Sequence, residues 1–140
     1  MGRQGYEKLI VWQNAYKLRR LIYEITKQFP KIEMRRISHM RETARSVKQN
    51  IQEGYARPGI GDYIRFLGYS QSSLAELIGD IQDCFDDKLI TKEEFQKLDS
   101  LAGKTDYLLT RLIQSLYRKK KEGTWRKTYK TYPLIPPDIP

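Results

Sequence analysis

Three groups of side chains in this sequence have the types and spacing for chemistry, and all three are ionic. From Arg118 to Pro140, seven basic residues (Arg118, Lys119, Lys120, Lys121, Arg126, Lys127, Lys130) stand against two acids (Glu122, Asp138), with Trp125, Tyr129 and Tyr132 interleaved. Cations that hold phosphates, set between aromatic rings on which bases stack, suit single-stranded nucleic acid or RNA. Equally, the Pro-Leu-Ile-Pro-Pro run at 133–137 suits a groove on a partner protein as a polyproline segment. The second group is Arg41, Arg45 and Lys48, which share one helix flank at i, i+4 and i+7. It is either a solvated basic face or a ladder of phosphate contacts. The third is Asp80, Asp83 and Asp87, where helical rise spreads the carboxylates and no histidine accompanies them, so a divalent-cation site is disfavoured.

Catalysis finds little support. His39 is the single histidine, has no cysteine or serine beside it in a nucleophilic arrangement, and reads as a surface residue. Glu93-Glu94 and Asp86-Asp87 flank a turn, where capping and solvation account for them. No glycine-rich phosphate loop, metal-ligand spacing or nucleophile motif occurs. The expectation is a protein with no catalytic residues, no cofactor and no metal. Cys84, the lone cysteine, excludes an internal disulfide and falls on an apolar helix side, as a buried structural thiol would.

The elements that position these groups are helices. Trp12, Ala15, Leu18, Ile22, Ile25 and Phe29 recur at steps of three and four, predicting a first helix that ends near Phe29-Pro30. Ile37, Met40, Ala44, Val47, Ile51 and Tyr55 predict a second, broken at Pro58-Gly59-Ile60-Gly61. A third runs from about Asp62 through Leu74 and Ile81 to near Leu89. Thr91-Lys92-Glu93-Glu94 then forms a capping box that starts a fourth, running through Leu116. Short links make neighbouring helices antiparallel. The predicted fold is all-α: an antiparallel up-down four-helix bundle over 1–119, with an extended basic, proline-rich tail over 120–140, where four prolines exclude a continuing helix.

Within the second helix, Asn50 to Tyr55 (Asn-Ile-Gln-Glu-Gly-Tyr) is the least generic stretch. Gly54 is expected to let a neighbouring helix approach, and Asn50 to satisfy a polar backbone group at that crossing. Glu53 points away from the core, within reach of Arg57 at i+4 or of another subunit. Arg65, Tyr69 and Glu76 lie opposite the core on the third helix, and Asp80 and Asp83 continue that side. With Glu53 and Arg57 they form the candidate subunit interface, in which an acidic face meets the basic stripe of the next copy, a head-to-tail contact that closes into a ring.

Charge points to a polyanionic partner: 26 Lys+Arg against 17 Asp+Glu give a formal net charge of +9 and a pI near 9.6. No run approaches the roughly 20 apolar residues of a membrane span, and the start lacks a signal peptide's apolar core. A cytoplasmic protein of one domain, without membrane contact, is expected.

Five pieces in order carry a resemblance: Tyr6-Glu-Lys-Leu-Ile-Val-Trp-Gln13, Phe29-Pro30, the Asn50–Tyr55 hexad, Tyr63-Ile-Arg-Phe-Leu67 and Ser73-Leu-Ala-Glu-Leu77. Over about residues 6–117 the chain resembles the four-helix-bundle proteins encoded in 23S rRNA intervening sequences. The resemblance implies an up-down bundle, a homopentameric ring, no known enzymatic activity and a suspected role in binding RNA or DNA. A related branch, the accessory proteins of diversity-generating retroelements, forms basic pentamers that bind a reverse transcriptase and nucleic acid. This chain has Gln114-Ser115-Leu116-Tyr117 where that branch carries Gly-Gly-Trp. The sequence therefore predicts a ring-forming bundle that binds nucleic acid, RNA foremost, through Arg41, Arg45, Lys48, Lys119, Lys120, Lys121, Trp125, Arg126, Lys127, Tyr129 and Lys130. The alternative is an adaptor whose tail engages a protein such as a reverse transcriptase.

Overall fold

Apolar residues at helical spacing fold this chain into four α-helices; the structure, a computed structural model, describes residues 5–125 and contains no strand among them. The helices are α1 (Ile10–Thr26), α2 (Met34–Tyr55), α3 (Ile60–Asp86) and α4 (Lys92–Glu122). Short 3₁₀ turns, Gly5–Lys8 and Lys31–Glu33, precede α1 and α2. The predicted stripes supply most of the core: Leu18, Ile22, Val47, Ile51, Leu74, Leu77 and Leu98 are each at most 1 % exposed, and on the last helix Leu109 is fully buried while Leu108 and Leu112 pack only partly against the core. Cys84 is buried with its Sγ 3.4 Å from Met40 Sδ, as its apolar position implied. No helix among the described residues is long and apolar enough to cross a membrane.

Hydrogen bonding at the termini moves several boundaries. α1 ends at Thr26, where residues 27–29 tighten into i→i+3 bonds (Lys27 N–H to Glu24 O, Phe29 N–H to Thr26 O), so Phe29 packs from a turn. α3 stops at Asp86 because Lys88, at φ 62°, takes the left-handed conformation that closes a Schellman motif: Leu89 N–H reaches Cys84 O and Lys88 N–H reaches Phe85 O. Thr91 and Glu94 form the capping box reciprocally, at 2.9 and 3.0 Å. α4 continues past Leu116 to Glu122 and ends in a second Schellman turn at Gly123 (φ 70°), with Thr124 N–H on Lys119 O. Lys119, Lys120 and Lys121 thus stand on the last helical turn, where cations complement the carbonyl end of the helix.

Each helix packs on its neighbours in the chain, and α1 also packs on α4. Across α1 and α2, Thr26 meets Arg41 and Trp12 meets Gln52. Across α2 and α3, Arg36 meets Asp87, Ser46 meets Ser73, and Gly54 meets Tyr63 and Phe66. Phe85 stacks on Phe95 and Gln71 donates to Thr110 across α3 and α4.

Gly54 has the role its sequence suggested. A Cβ there would lie 2.9 Å from Phe66 Cβ and 3.1 Å from both Cδ1 and the carbonyl oxygen of Tyr63, so only glycine admits α3 this closely. Asn50 acts differently from expectation, because its amide turns back along its own helix and donates to Ser46 O and Oγ at 2.9 and 3.0 Å. The crossing is bridged by Ser46 Oγ and Ser73 Oγ at 2.8 Å, and by Ser70 Oγ, which donates to Val47 O at 2.6 Å. Asn50 therefore orients the serine that makes the contact.

Candidate nucleic-acid interface

The basic stripe on α2 divides in two. Arg41 folds back against the end of α1: its Nε donates to Thr26 Oγ1 at 3.0 Å, its Nη2 to Tyr23 O at 3.3 Å, and the guanidinium lies 3.9 Å from the Tyr23 ring centroid. It caps the Tyr23 carbonyl in the last turn of the helix and is half-buried. Arg45 is exposed, and its nearest carboxylate is Glu42, at 4.0 Å. Lys48 is half-buried and donates to Gln49 Oε1 and Gln52 Oε1 at 3.4 and 3.3 Å. Burial, followed by repulsion from Arg45 and Arg19, pushes the Lys48 ammonium below its usual range. Arg19 belongs to α1 and was not among the sequence candidates; it joins Arg45 and Lys48 at the α1–α2 seam.

That seam is lined with rings. Trp12 donates from Nε1 to Gln52 Oε1 at 2.9 Å and stacks on Tyr16 with centroids 5.3 Å apart and planes 16° apart. Tyr6 packs on the other side of Trp12 at 5.2 Å. Tyr16 and Tyr23 are 38 % and 41 % exposed. The signal was present in the sequence, since Tyr16, Arg19, Arg20 and Tyr23 stand on successive turns of the first helix.

At the other end of the chain Trp125 is placed differently from a base-stacking tail residue. The Gly123 turn brings it against Tyr63, 5.9 Å between centroids, where it packs on the core. Lys119, Lys120 and Lys121 are exposed. Arg126, Lys127, Tyr129 and Lys130 lie outside the described residues.

The candidate interface residues are also separated. Glu53 and Arg57 pair at 3.8 Å, as their spacing implied, and Arg65 pairs with Asp62 at 2.7 Å. Arg57 and Arg65 approach the Phe66 ring at 4.6 and 5.4 Å, and Tyr69, 47 % exposed, stands edge-on to Phe66. Glu76 and Asp80, by contrast, are engaged within the chain: His39 Nε2 lies 3.0 Å from Glu76 Oε2 and 3.2 Å from Asp80 Oδ2. His39 stands at the surface, as its sequence position implied, and from there it reaches carboxylates of α3. Burial drives the Asp80 carboxyl above its usual range, with the nearby His39 opposing and Glu76 and Asp83 adding to the rise. Asp87 is drawn off by Arg36 at 2.9 Å, and no cluster able to hold a metal ion occurs among the described residues.

These features define an all-α, four-helix protein with a basic, aromatic-lined seam. A sequence profile of the 23S rRNA-intervening sequence protein family matches residues 7–111, and the chain belongs to that family. A search of curated proteins found no match.

Proposed function

We propose that this protein is a non-enzymatic nucleic-acid-binding bundle that works as a ring, with RNA as its ligand. The single observation that carries the reading is the crowding of Arg19, Arg45 and Lys48 at the α1–α2 seam, where among the described residues Glu42, 4.0 Å from Arg45, is the one carboxylate paired with any of them. Holding like charges together costs the isolated fold some stability; phosphates offset that repulsion, and the release of the nucleic acid's condensed counterions adds to binding. The family's name ties its members to ribosomal RNA, which favours RNA over DNA. Helix pairs whose contact numbers rise on one element and fall on the next, such as Trp12 with Gln52 and Thr26 with Arg41, support an antiparallel up-down arrangement. The edge formed by exposed Tyr69 and half-buried Phe66, between Arg57 and Arg65, is the surface we assign to contact between subunits, in place of the Glu76/Asp80 stripe.

The test is a titration of fluorescent RNA with the wild-type chain and with Arg19→Ala/Arg45→Ala/Lys48→Ala. Binding weakened at least tenfold in the triple variant, at unchanged melting temperature or above, supports the seam; equal binding removes it. Light scattering that reports a monomer at micromolar concentration removes the ring.

A further inference from the structure

A second basic surface begins at Tyr16, on the outer face of α1, and runs to where α1 meets α4. Lys97, Lys104, Arg111 and Arg118 recur every seven residues along α4, and all four are exposed. Because seven residues make nearly two helical turns, they form one straight row about 32 Å long. Asp99 and Asp106 of the same helix fall on its other flank, toward α3, by the same geometry. Beneath the row, the α1–α4 crossing holds two concavities. One, of about 540 Å³, is lined by Tyr16, Lys17, Arg20, Leu21, Lys97 and Leu101, together with Glu24. The other, of about 410 Å³, is lined by Asn14, Gly103, Lys104, Tyr107 and Leu108. Among the described residues, Glu24 is the only acid lining either, and Lys27 holds it at 3.2 Å.

Each concavity carries the same device. Arg20 donates to the Tyr16 hydroxyl at 3.5 Å and Arg111 to the Tyr107 hydroxyl at 2.9 Å, in both cases from four residues further along the helix. The guanidinium groups lie 6.0 and 5.8 Å from the two ring centroids, so each ring is steadied by a cation beside it. Tyr107 is 59 % exposed, far more than an anchoring tyrosine requires. Tyr16 already stacks on Trp12, against which Tyr6 is tilted, so a further flat group beside Tyr16 extends that pair.

We propose that the α1–α4 face is a single-strand track: unpaired RNA bases stack on Tyr107 and Tyr16 while Lys17, Lys97, Lys104, Arg111 and Arg118 hold the phosphates. This deepens the nucleic-acid reading above and rests on it. Cations alone would accept any polyanion, including an acidic peptide or duplex RNA, whose bases are not available to stack. The exposed rings select the unpaired strand.

The experiment compares full-length wild type, Tyr107→Ala, Tyr107→Phe and Gly103→Leu for binding a single-stranded oligouridylate, a duplex RNA of equal charge and polyglutamate. Tyr107 is exposed, and a Cβ at Gly103 meets nothing within 4 Å, so each variant keeps the fold while the leucine fills the second concavity. Tyr107→Ala and Gly103→Leu are expected to weaken the single strand about tenfold and leave the duplex unchanged, with Tyr107→Phe near wild type. If single strand and duplex bind but neither variant separates them, or polyglutamate binds as tightly as the oligouridylate, the track is overturned and the broader reading stands. If wild type binds neither RNA, the nucleic-acid reading itself falls, and the track with it.

Discussion

Alanine at Gly54 and alanine at Gly79 are the same substitution inside helices, and the structure gives them opposite signs. At an open helical position the exchange stabilises by up to about 1 kcal/mol, because glycine loses more backbone freedom on folding than alanine does. Gly79 is such a position, with nothing within 4 Å of an added Cβ. At Gly54 the methyl group meets Phe66 Cβ at 2.9 Å and the Tyr63 carbonyl oxygen at 3.1 Å. Neither atom is the end of a flexible side chain, so relief requires α2 and α3 to separate along their whole contact, including the 2.8 Å Ser46–Ser73 bridge. Overpacking of this kind costs about 1–3 kcal/mol, which offsets the propensity gain and leaves a net loss of up to about 2 kcal/mol. For a chain of this size that is a fall in Tm of up to about 6 °C, against a rise of about 3 °C for Gly79→Ala. Thermal melts followed by circular dichroism at one protein concentration read both. A Gly54→Ala variant as stable as Gly79→Ala would refute the close approach of the two helices.

Three further predictions follow from the same structure. Lys48→Met removes a charge that burial, then Arg45 and Arg19, disfavour in the folded state, pushing its pKa below the unfolded range. The variant should therefore melt slightly higher, by less than about 0.5 kcal/mol equivalent, while binding RNA more weakly. Arg41→Ala should lower Tm, by about 1–2 kcal/mol equivalent, because it strips a cap from α1, whereas Arg45→Ala leaves Tm unchanged and lowers RNA affinity; the opposite assignment would show that Arg41 belongs to the binding stripe. Lys88→Gly, at φ 62°, relieves a left-handed strain of about 1–2 kcal/mol against a smaller loss to glycine entropy, and should raise stability in a denaturant titration.

The core was legible because burial depends on period, and period is written in the sequence: Leu18, Val47, Leu74 and Leu98 were each placed by spacing alone. The Thr91 capping box and the Glu53–Arg57 pair were legible because both are local. What escaped depends on where a neighbouring helix ends. Arg41, Arg45 and Lys48 are equivalent on a wheel, yet only Arg41 lies beside the last turn of α1, where the Thr26 hydroxyl and the Tyr23 carbonyl capture it. His39 looked isolated because its carboxylate partners stand on another helix. Asn50 was assigned to the crossing by residue type, whereas the i−4 carbonyl and hydroxyl of Ser46 were nearer. Trp125 was read with the basic run around it, although Gly123 two residues earlier is a stop-and-turn signal that returns the chain to the bundle. Arg19 and the seven-residue row on α4 were visible as spacing, but their meaning required knowing which flank α1 and α4 share.

The most direct test of the account is the salt dependence of RNA affinity, measured for wild type and for the Arg19/Arg45/Lys48 triple-alanine variant. Each cation that neutralises a single-strand phosphate contributes about 0.7 to the slope of log affinity against log salt, so the variant's slope should be shallower by about 2. Slopes that coincide, or wild-type affinity that does not fall as salt rises, would contradict the seam as the site of binding.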